Sequence, residues 1–200
     1  MGRSHFLSVA LLLVMFPACG SSGGGGGSVV PDIPASVPPG AGVLQIDMAG
    51  TWAIQDTSVL ETNAANPTSP PNGTLFMLEP TRIASIGGLS VEQSALEQFV
   101  NAPLESYVNQ LDGTNVYYAV VTDQRASGGE RIETALAGGA VDANTILVEA
   151  FTSAQGASDP APQFTRSRYT LVRVPGTTPL QHRPESWTAE DLLRAAFGDV

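Results

Sequence analysis

The chain is poor in the side chains that metal sites and nucleophilic enzymes use. It has one cysteine, Cys19, and two histidines, of which only His182 would lie in an exported and processed chain. A single cysteine cannot form an internal disulfide, and a zinc site needs several Cys or His ligands. A catalytic triad would depend on His182, which lies in a proline-rich stretch typical of a solvated loop. The sequence therefore predicts neither a metal site nor an enzyme.

Positive charge is scarce as well. The nine basic residues are all arginine and oppose 19 acidic residues, for a net charge of −10. An acidic surface repels phosphate backbones and anionic headgroups, so we expect no nucleic-acid partner. Asp112 and Asp142 begin short Asn-containing turns, but these turns lack the spacing of a calcium loop. No cofactor is predicted.

The first residues, 1–18, have the three parts of an export signal. Arg3 lies in a short N-terminal region, an apolar run extends from Phe6 to Phe16, and the small residue Ala18 follows. The run is too short to cross a bilayer as a helix, and its length is typical of a signal-peptide core. We predict that residues 1–18 are a signal peptide removed on export.

Cys19 lies directly after this signal. The sequence Phe16-Pro17-Ala18-Cys19 resembles the lipoprotein signal of bacteria, in which the cysteine is acylated and becomes the mature N-terminus. Ala18 fits that pattern, whereas Phe16 and Pro17 depart from it. The resemblance implies lipidation of Cys19 and anchoring in the cell envelope, and Gly20 is compatible with the outer membrane. The alternative is ordinary secretion after cleavage behind a small residue, which would give a soluble secreted or periplasmic protein.

Residues 19–42 have the composition of a tether. Gly20–Ser28 is almost pure glycine and serine, typical of a flexible coil, and 29–40 is rich in proline, which favours a stiffer extended path. We therefore expect the folded domain to occupy residues 43–200.

The domain alternates short β-type runs with turn signals, which predicts an antiparallel sheet. The expected strands are 43–46, 50–59, 74–78, 82–86, 115–122, 131–136, 145–151 and 164–174. Both faces of 115–122 are apolar, which predicts a central strand. Gly138-Gly139 indicates a turn.

Alternation predicts which face of the last strand, 164–174, points inward. The expected inward set comprises Thr165, Ser167, Tyr169, Leu171 and Arg173 and centres on Tyr169 and Leu171.

Helices are expected in two regions, near 91–111 and at 188–197. Ser90 and Gln93 have capping-box spacing, with Val91, Ala95 and Phe99 on one helix face. A second helix is expected over 103–111, because Pro103 suits a first helical turn. The expected fold class is mainly β with helices (α+β): an antiparallel, strongly curved sheet or small barrel, covered by a helical insertion and a C-terminal helix.

The sequence Gly50-Thr51-Trp52 resembles the opening motif of lipocalin-like β-barrels. In that family a tryptophan closes one end of the barrel and an arginine near the end of the last strand lies across its indole. The resemblance implies this structural role for Trp52 and Arg173. The alternative is a helix-covered antiparallel sheet of another topology.

Two functions are consistent with these features. The first is a membrane-anchored, non-enzymatic envelope lipoprotein whose domain binds a small apolar ligand, in a cavity lined by Phe76, Tyr118 and Leu171. The second is a structural or protein-interaction module of the envelope without a ligand cavity. A cavity at those residues would favour the ligand, whereas a filled core with exposed apolar side chains would favour a protein partner.

Overall fold

The computed structural model describes residues 33–67 and 69–175 and consists mainly of one antiparallel sheet. The sheet has nine strands and curls into a half-barrel, which confirms the expected mainly β, strongly curved architecture. The elements are β1 (Gly50–Thr62), β2 (Leu75–Leu78), β3 (Ile83–Ile86), β4 (Leu89–Ser90), α1 (Gln93–Val100), β5 (Ser106–Leu111), β6 (Asn115–Asp123), β7 (Glu130–Asp142), β8 (Thr145–Gly156) and β9 (Gln163–Arg173), with a short 3-10 helix at Arg125–Ser127.

The strand order β4-β3-β2-β1-β9-β8-β7-β6-β5 consists of two meanders. Strands β1 to β4 form one meander and β5 to β9 form the other. They are joined where the first strand pairs with the last, from Trp52 opposite Arg173 to Thr62 opposite Thr165. Strands β4 and β5 are the edges of the sheet. Its curl brings these edges towards each other, since Leu111 of β5 donates its N–H to the carbonyl of Thr81 before β3.

One face of the sheet, which we call the inner face, carries the hydrophobic core. On β9 the alternation is confirmed, because Thr165, Ser167, Tyr169 and Leu171 of the expected set are buried, while Arg173 at the strand end is partly buried. On β6 both faces are buried from Val116 to Thr122, which confirms a central strand. The opposite face, called the outer face below, is therefore also covered at β6.

The expected helix over 103–111 is wrong. Residues Ser106–Leu111 form β5 and pair with β6 from Ser106 opposite Val121 to Leu111 opposite Val116. The apolar residues of this segment have helical spacing, but the cross-strand contacts available beside β6 override that local preference and favour the strand.

The helix near residue 91 exists but differs from the expected one. It begins after Glu92, whose side chain makes no capping hydrogen bond, and Ser90 belongs to β4. Leu96 is its buried residue, whereas Phe99 is 43% exposed. Within the described residues, helices do not cover the sheet in the way that the sequence predicted.

The glycine pair Gly138-Gly139 does not form a turn and lies inside β7. A Cβ at Gly138 would lie 2.7 Å from the carbonyl oxygen of Leu147, and one at Gly139 would lie 2.3 Å from the nitrogen of Gly42. These glycines permit close packing on both faces of the sheet, a role that turn statistics do not detect.

Residues 36–42, which we call the N-terminal strap, pack on the sheet although they fall within the predicted tether. Pro38 and Ala41 are buried, and Gly42 donates its N–H to the carbonyl of Ala140 at 3.0 Å. The expected strand over 43–46 is wrong, because this stretch has no ladder pairing and Val43 is largely exposed.

The predicted C-terminal helix at 188–197 lies outside the described residues. Within 33–67 and 69–175, no helix combines the length and the apolar character that crossing a membrane requires.

Candidate functional site

The first strand begins at a cation–π pair between its tryptophan and the last strand. The Arg173 guanidinium carbon lies 4.3 Å from the centroid of the fully buried Trp52 ring, as the lipocalin resemblance implies. Arg173 also donates Nη1–H to the carbonyl of Ala49 at 2.9 Å and bonds the carbonyl of Asp47. Trp52 donates Nε1–H to the carbonyl of Met48 at 2.8 Å. The pair thus fixes the segment before β1 against the last strand.

The structure places the predicted ligand residues together inside the core. Phe76, Tyr118 and Leu171 are 2%, 2% and 1% exposed and belong to one hydrophobic cluster. The Tyr118 ring meets Tyr107 edge to face, with centroids 6.5 Å apart. Burial raises the pKa of the Tyr118 phenol well above its usual value, and the Tyr107 hydroxyl adds to the shift. All three predicted residues therefore act as packing groups of the core.

Farther from Trp52, the inner face carries hydroxyl groups in place of apolar side chains. Thr62 Oγ1 and Thr165 Oγ1 lie 3.0 Å apart, and Thr57 Oγ1 is buried with no hydrogen-bond partner in the described part of the chain. The buried hydroxyl residues of this end are Thr122, Thr134, Thr165 and Ser167. This hydroxyl-bearing end of the inner face can be predicted from the sequence only after the inward face of β9 has been assigned.

The outer face holds a buried carboxylate that the sequence reasoning missed. Glu149 on β8 bonds Nη1 of Arg166 and accepts hydrogen bonds from the N–H and the hydroxyl of Ser36, at 3.3 and 3.4 Å. Beside them, Phe151 stacks on Phe164 with centroids 6.1 Å apart, and the Arg166 guanidinium lies 5.4 Å from the Phe151 centroid. The sequence signal for this site was a single acidic residue, Glu149, within the apolar run 146–151, because a buried charge requires partners.

No three His, Cys, Asp or Glu side chains are placed to share a metal ion in the part of the chain that the structure describes. Asp112 Oδ1 accepts from the N–H groups of Thr114 and Asn115, at 3.0 and 2.7 Å, which is ordinary turn chemistry. Cys19 and His182 lie outside the described residues.

Comparison with known proteins gives no relative. No protein-family model, no curated protein and no solved structure matches the chain.

Proposed function

We propose that the chain is an envelope lipoprotein, anchored by lipid on Cys19, whose half-barrel domain is a non-enzymatic module that binds a protein partner. The export signal of residues 1–18 and the position of Cys19 directly after it support the anchor. Two or three acyl chains hold a protein on a membrane durably, because each buried methylene contributes about 0.8 kcal/mol.

The burial of Phe76, Tyr118 and Leu171 is the observation that favours a protein partner over a small ligand. Ligand sites are concave openings that surround most of the bound molecule. These three side chains belong to one hydrophobic cluster and are at most 2% exposed. An apolar ligand among them would therefore have to displace packed core side chains. By contrast, several apolar side chains are exposed outside the core: Val59, Leu60 and Phe99.

The N-terminal strap is consistent with a tethered domain. Ser36 reaches the outer face at Glu149, and the strap then follows the sheet to Gly42. A tether from Cys19 would therefore end at the outer face, which leaves the edges of the sheet and its exposed apolar residues accessible to other envelope proteins.

The anchor is tested by expressing the full chain and its Cys19→Ser variant in a bacterium with an outer membrane and feeding a clickable fatty acid. We expect label on the full chain in the membrane fraction, and an unlabelled variant. Full chain that carries no fatty acid, or that still begins with Met1, would contradict the anchor.

The partner is tested on the same membranes by chemical cross-linking and by native mass spectrometry of the purified protein. We expect the mass of the acylated chain alone and a discrete cross-linked protein. A small apolar molecule retained in stoichiometric amount would instead support the ligand-binding function. A protein that neither cross-links nor retains a molecule would refute the binding role and leave the anchor result unaffected.

A further inference from the structure

Strand β1 is paired along both edges only in its first part. One edge pairs with β9 from Trp52 to Thr62. The other edge pairs with β2 only from Gly50 to Ala53, followed by the hydrogen bonds of Ile54 with Thr74 and Gly73. From residue 55 to residue 62, no described residue bonds the backbone groups that point away from β9. We call this stretch the β1 edge.

The side chains of the β1 edge are open to solvent. Val59 and Leu60 are 44% and 43% exposed, and their neighbours are exposed too, except for the half-buried Thr57. The chain that follows, 63–73, returns towards β2 without forming a ladder with this edge. It contains Pro67, Pro70 and Pro71, which have no N–H to donate.

A free strand edge is a template for another strand, because its N–H and C=O groups are already aligned. We propose that the β1 edge is a docking site for an extended, cationic segment of a protein partner, which adds to the sheet beside β1. This inference rests on the proposed protein-binding function and specifies where the partner binds and what it must carry.

The negative charge of the β1 edge favours a positively charged partner segment. Asp56 and Glu61 are its only charged residues, and neither makes an ion pair with a residue that the structure describes. Glu61 lies opposite Arg166 in the β1–β9 register, but Arg166 is bonded to Glu149. A strand with Lys or Arg opposite these carboxylates would gain cross-strand pairs of about 0.2–1 kcal/mol each.

A second copy of this chain is disfavoured at the same edge. Each β1 edge carries two carboxylates, Asp56 and Glu61, and no basic residue, so two copies placed side by side would bring four like charges to one seam, which is destabilising. The register shifts after Ile54 and after Val59 divide the edge into the regular stretches 56–59 and 61–62, whatever strand docks there. The like charges act against self-association alone and leave a basic strand as the favoured occupant.

The test uses the full chain in detergent and a short capped peptide of alternating Lys and Val as the probe. Amide hydrogen exchange should slow at residues 55–62 when the peptide is added. A second peptide, methylated on alternate backbone nitrogens, keeps the charge but cannot form the ladder, and should not protect this edge. Equal binding of both peptides, or protection mapped elsewhere, would overturn the proposal.

The matched variants separate the edge from general electrostatics. Asp56→Lys together with Glu61→Lys should weaken binding of the Lys-Val peptide about tenfold or more, since two attractive pairs become repulsive. Glu133→Lys, on β7 and separated from β1 by β9 and β8, should bind like the unchanged chain. An equal loss in the Glu133 variant would show that only net charge matters and would overturn the site. Dimers of the unchanged chain with a protected β1 edge would identify a second copy as the occupant instead.

The two proposals can fail separately. If membrane cross-linking finds a partner but the β1 edge stays unprotected by the probe, the binding function stands and the docking site is wrong. If the probe binds the edge while no partner is found in the membrane, the proposed function is wrong.

Discussion

The Asn109 side chain on β5 forms with the Ile83 backbone on β3 the two hydrogen bonds that a neighbouring strand would form. Its Oδ1 accepts from the Ile83 N–H at 2.8 Å, and its Nδ2–H donates to the Ile83 carbonyl at 2.8 Å. The amide also donates to the Tyr107 hydroxyl at 3.1 Å, and that hydroxyl donates to the carbonyl of Val91. One side chain therefore links β5 to β3 across the open side of the curled sheet, where no backbone ladder joins these two strands.

Removing this bridge should be costly. Asn109→Ala leaves the N–H and C=O of Ile83 without partners, and each unsatisfied buried group costs about 1–3 kcal/mol. We expect the free energy of unfolding, from urea titration, to fall by about 2–4 kcal/mol. Gln110→Ala, at the next position on the outer face of β5, is the control and should change it by less than about 1 kcal/mol. Equal losses in both variants would contradict the bridging role.

Arg173→Met should loosen the segment before β1. Methionine keeps part of the apolar stem but loses the cation–π contact, worth about 0.5–2 kcal/mol, and the hydrogen bonds to Ala49 and Asp47. We expect a lower melting temperature and a red-shifted Trp52 emission, measured in a Trp187→Phe background so that one indole reports. Unchanged Trp52 emission would show that the Arg173 guanidinium does not fix the segment before β1.

Glu149→Leu should release the N-terminal strap. The variant removes the acceptor of Ser36 and leaves Arg166 without its carboxylate, at a cost of about 1–3 kcal/mol. We expect faster limited proteolysis within 33–42, read by mass spectrometry, and lower stability. Glu133→Leu, on the same outer face, is the control. A strap as resistant as in the unchanged chain would mean that Gly42 and Pro38 hold it without Glu149.

Two tyrosines should make the protein sensitive to alkali. Burial raises the pKa of the Tyr118 and Tyr169 phenols in the folded state. Unfolded phenols lose their protons near about pH 10, so this contribution to stability is full below that pH and is lost as the pH rises through the folded pKa. The chain has no lysine to titrate in the same range.

We therefore expect the urea midpoint to fall above about pH 10. Tyr169→Phe should make this fall shallower, because one of the phenols whose pKa is raised by burial is gone. An identical pH slope in the variant, or a midpoint that rises with pH, would contradict the role of the buried phenols.

Much of the sheet follows from local sequence pattern. The inward alternation on β9 and the two apolar faces of β6 were predictable because strands place successive side chains on opposite faces. The prediction failed where tertiary pairing overrides the local pattern. The apolar residues of 103–111 have helical spacing, yet Ser106–Leu111 pair with β6 as a strand.

The missed groups at the candidate sites depend on contacts distant in sequence. One partner of Glu149 lies 113 residues away at Ser36, and the partner of Asn109 lies 26 residues away at Ile83. No local rule identifies such pairs, although an acid or amide within an apolar strand run signals that a partner must exist. Trp52 and Arg173 were the exception, because their roles came from a family resemblance.

The close approach of Gly42 and Gly139 couples two positions far apart in the chain. A Cβ at Gly139 would meet the backbone of Gly42 at 2.3 Å, and one at Gly42 would lie 2.0 Å from Asn115 Oδ1. Gly139 cannot accept a side chain while Gly42 stays where it is, and a side chain at Gly42, which has a φ of +71°, would have to displace the Asn115 amide. Among descendants of a common ancestor, we expect both glycines to be inherited together, or both to be free to vary in lineages whose leading segment no longer crosses β7.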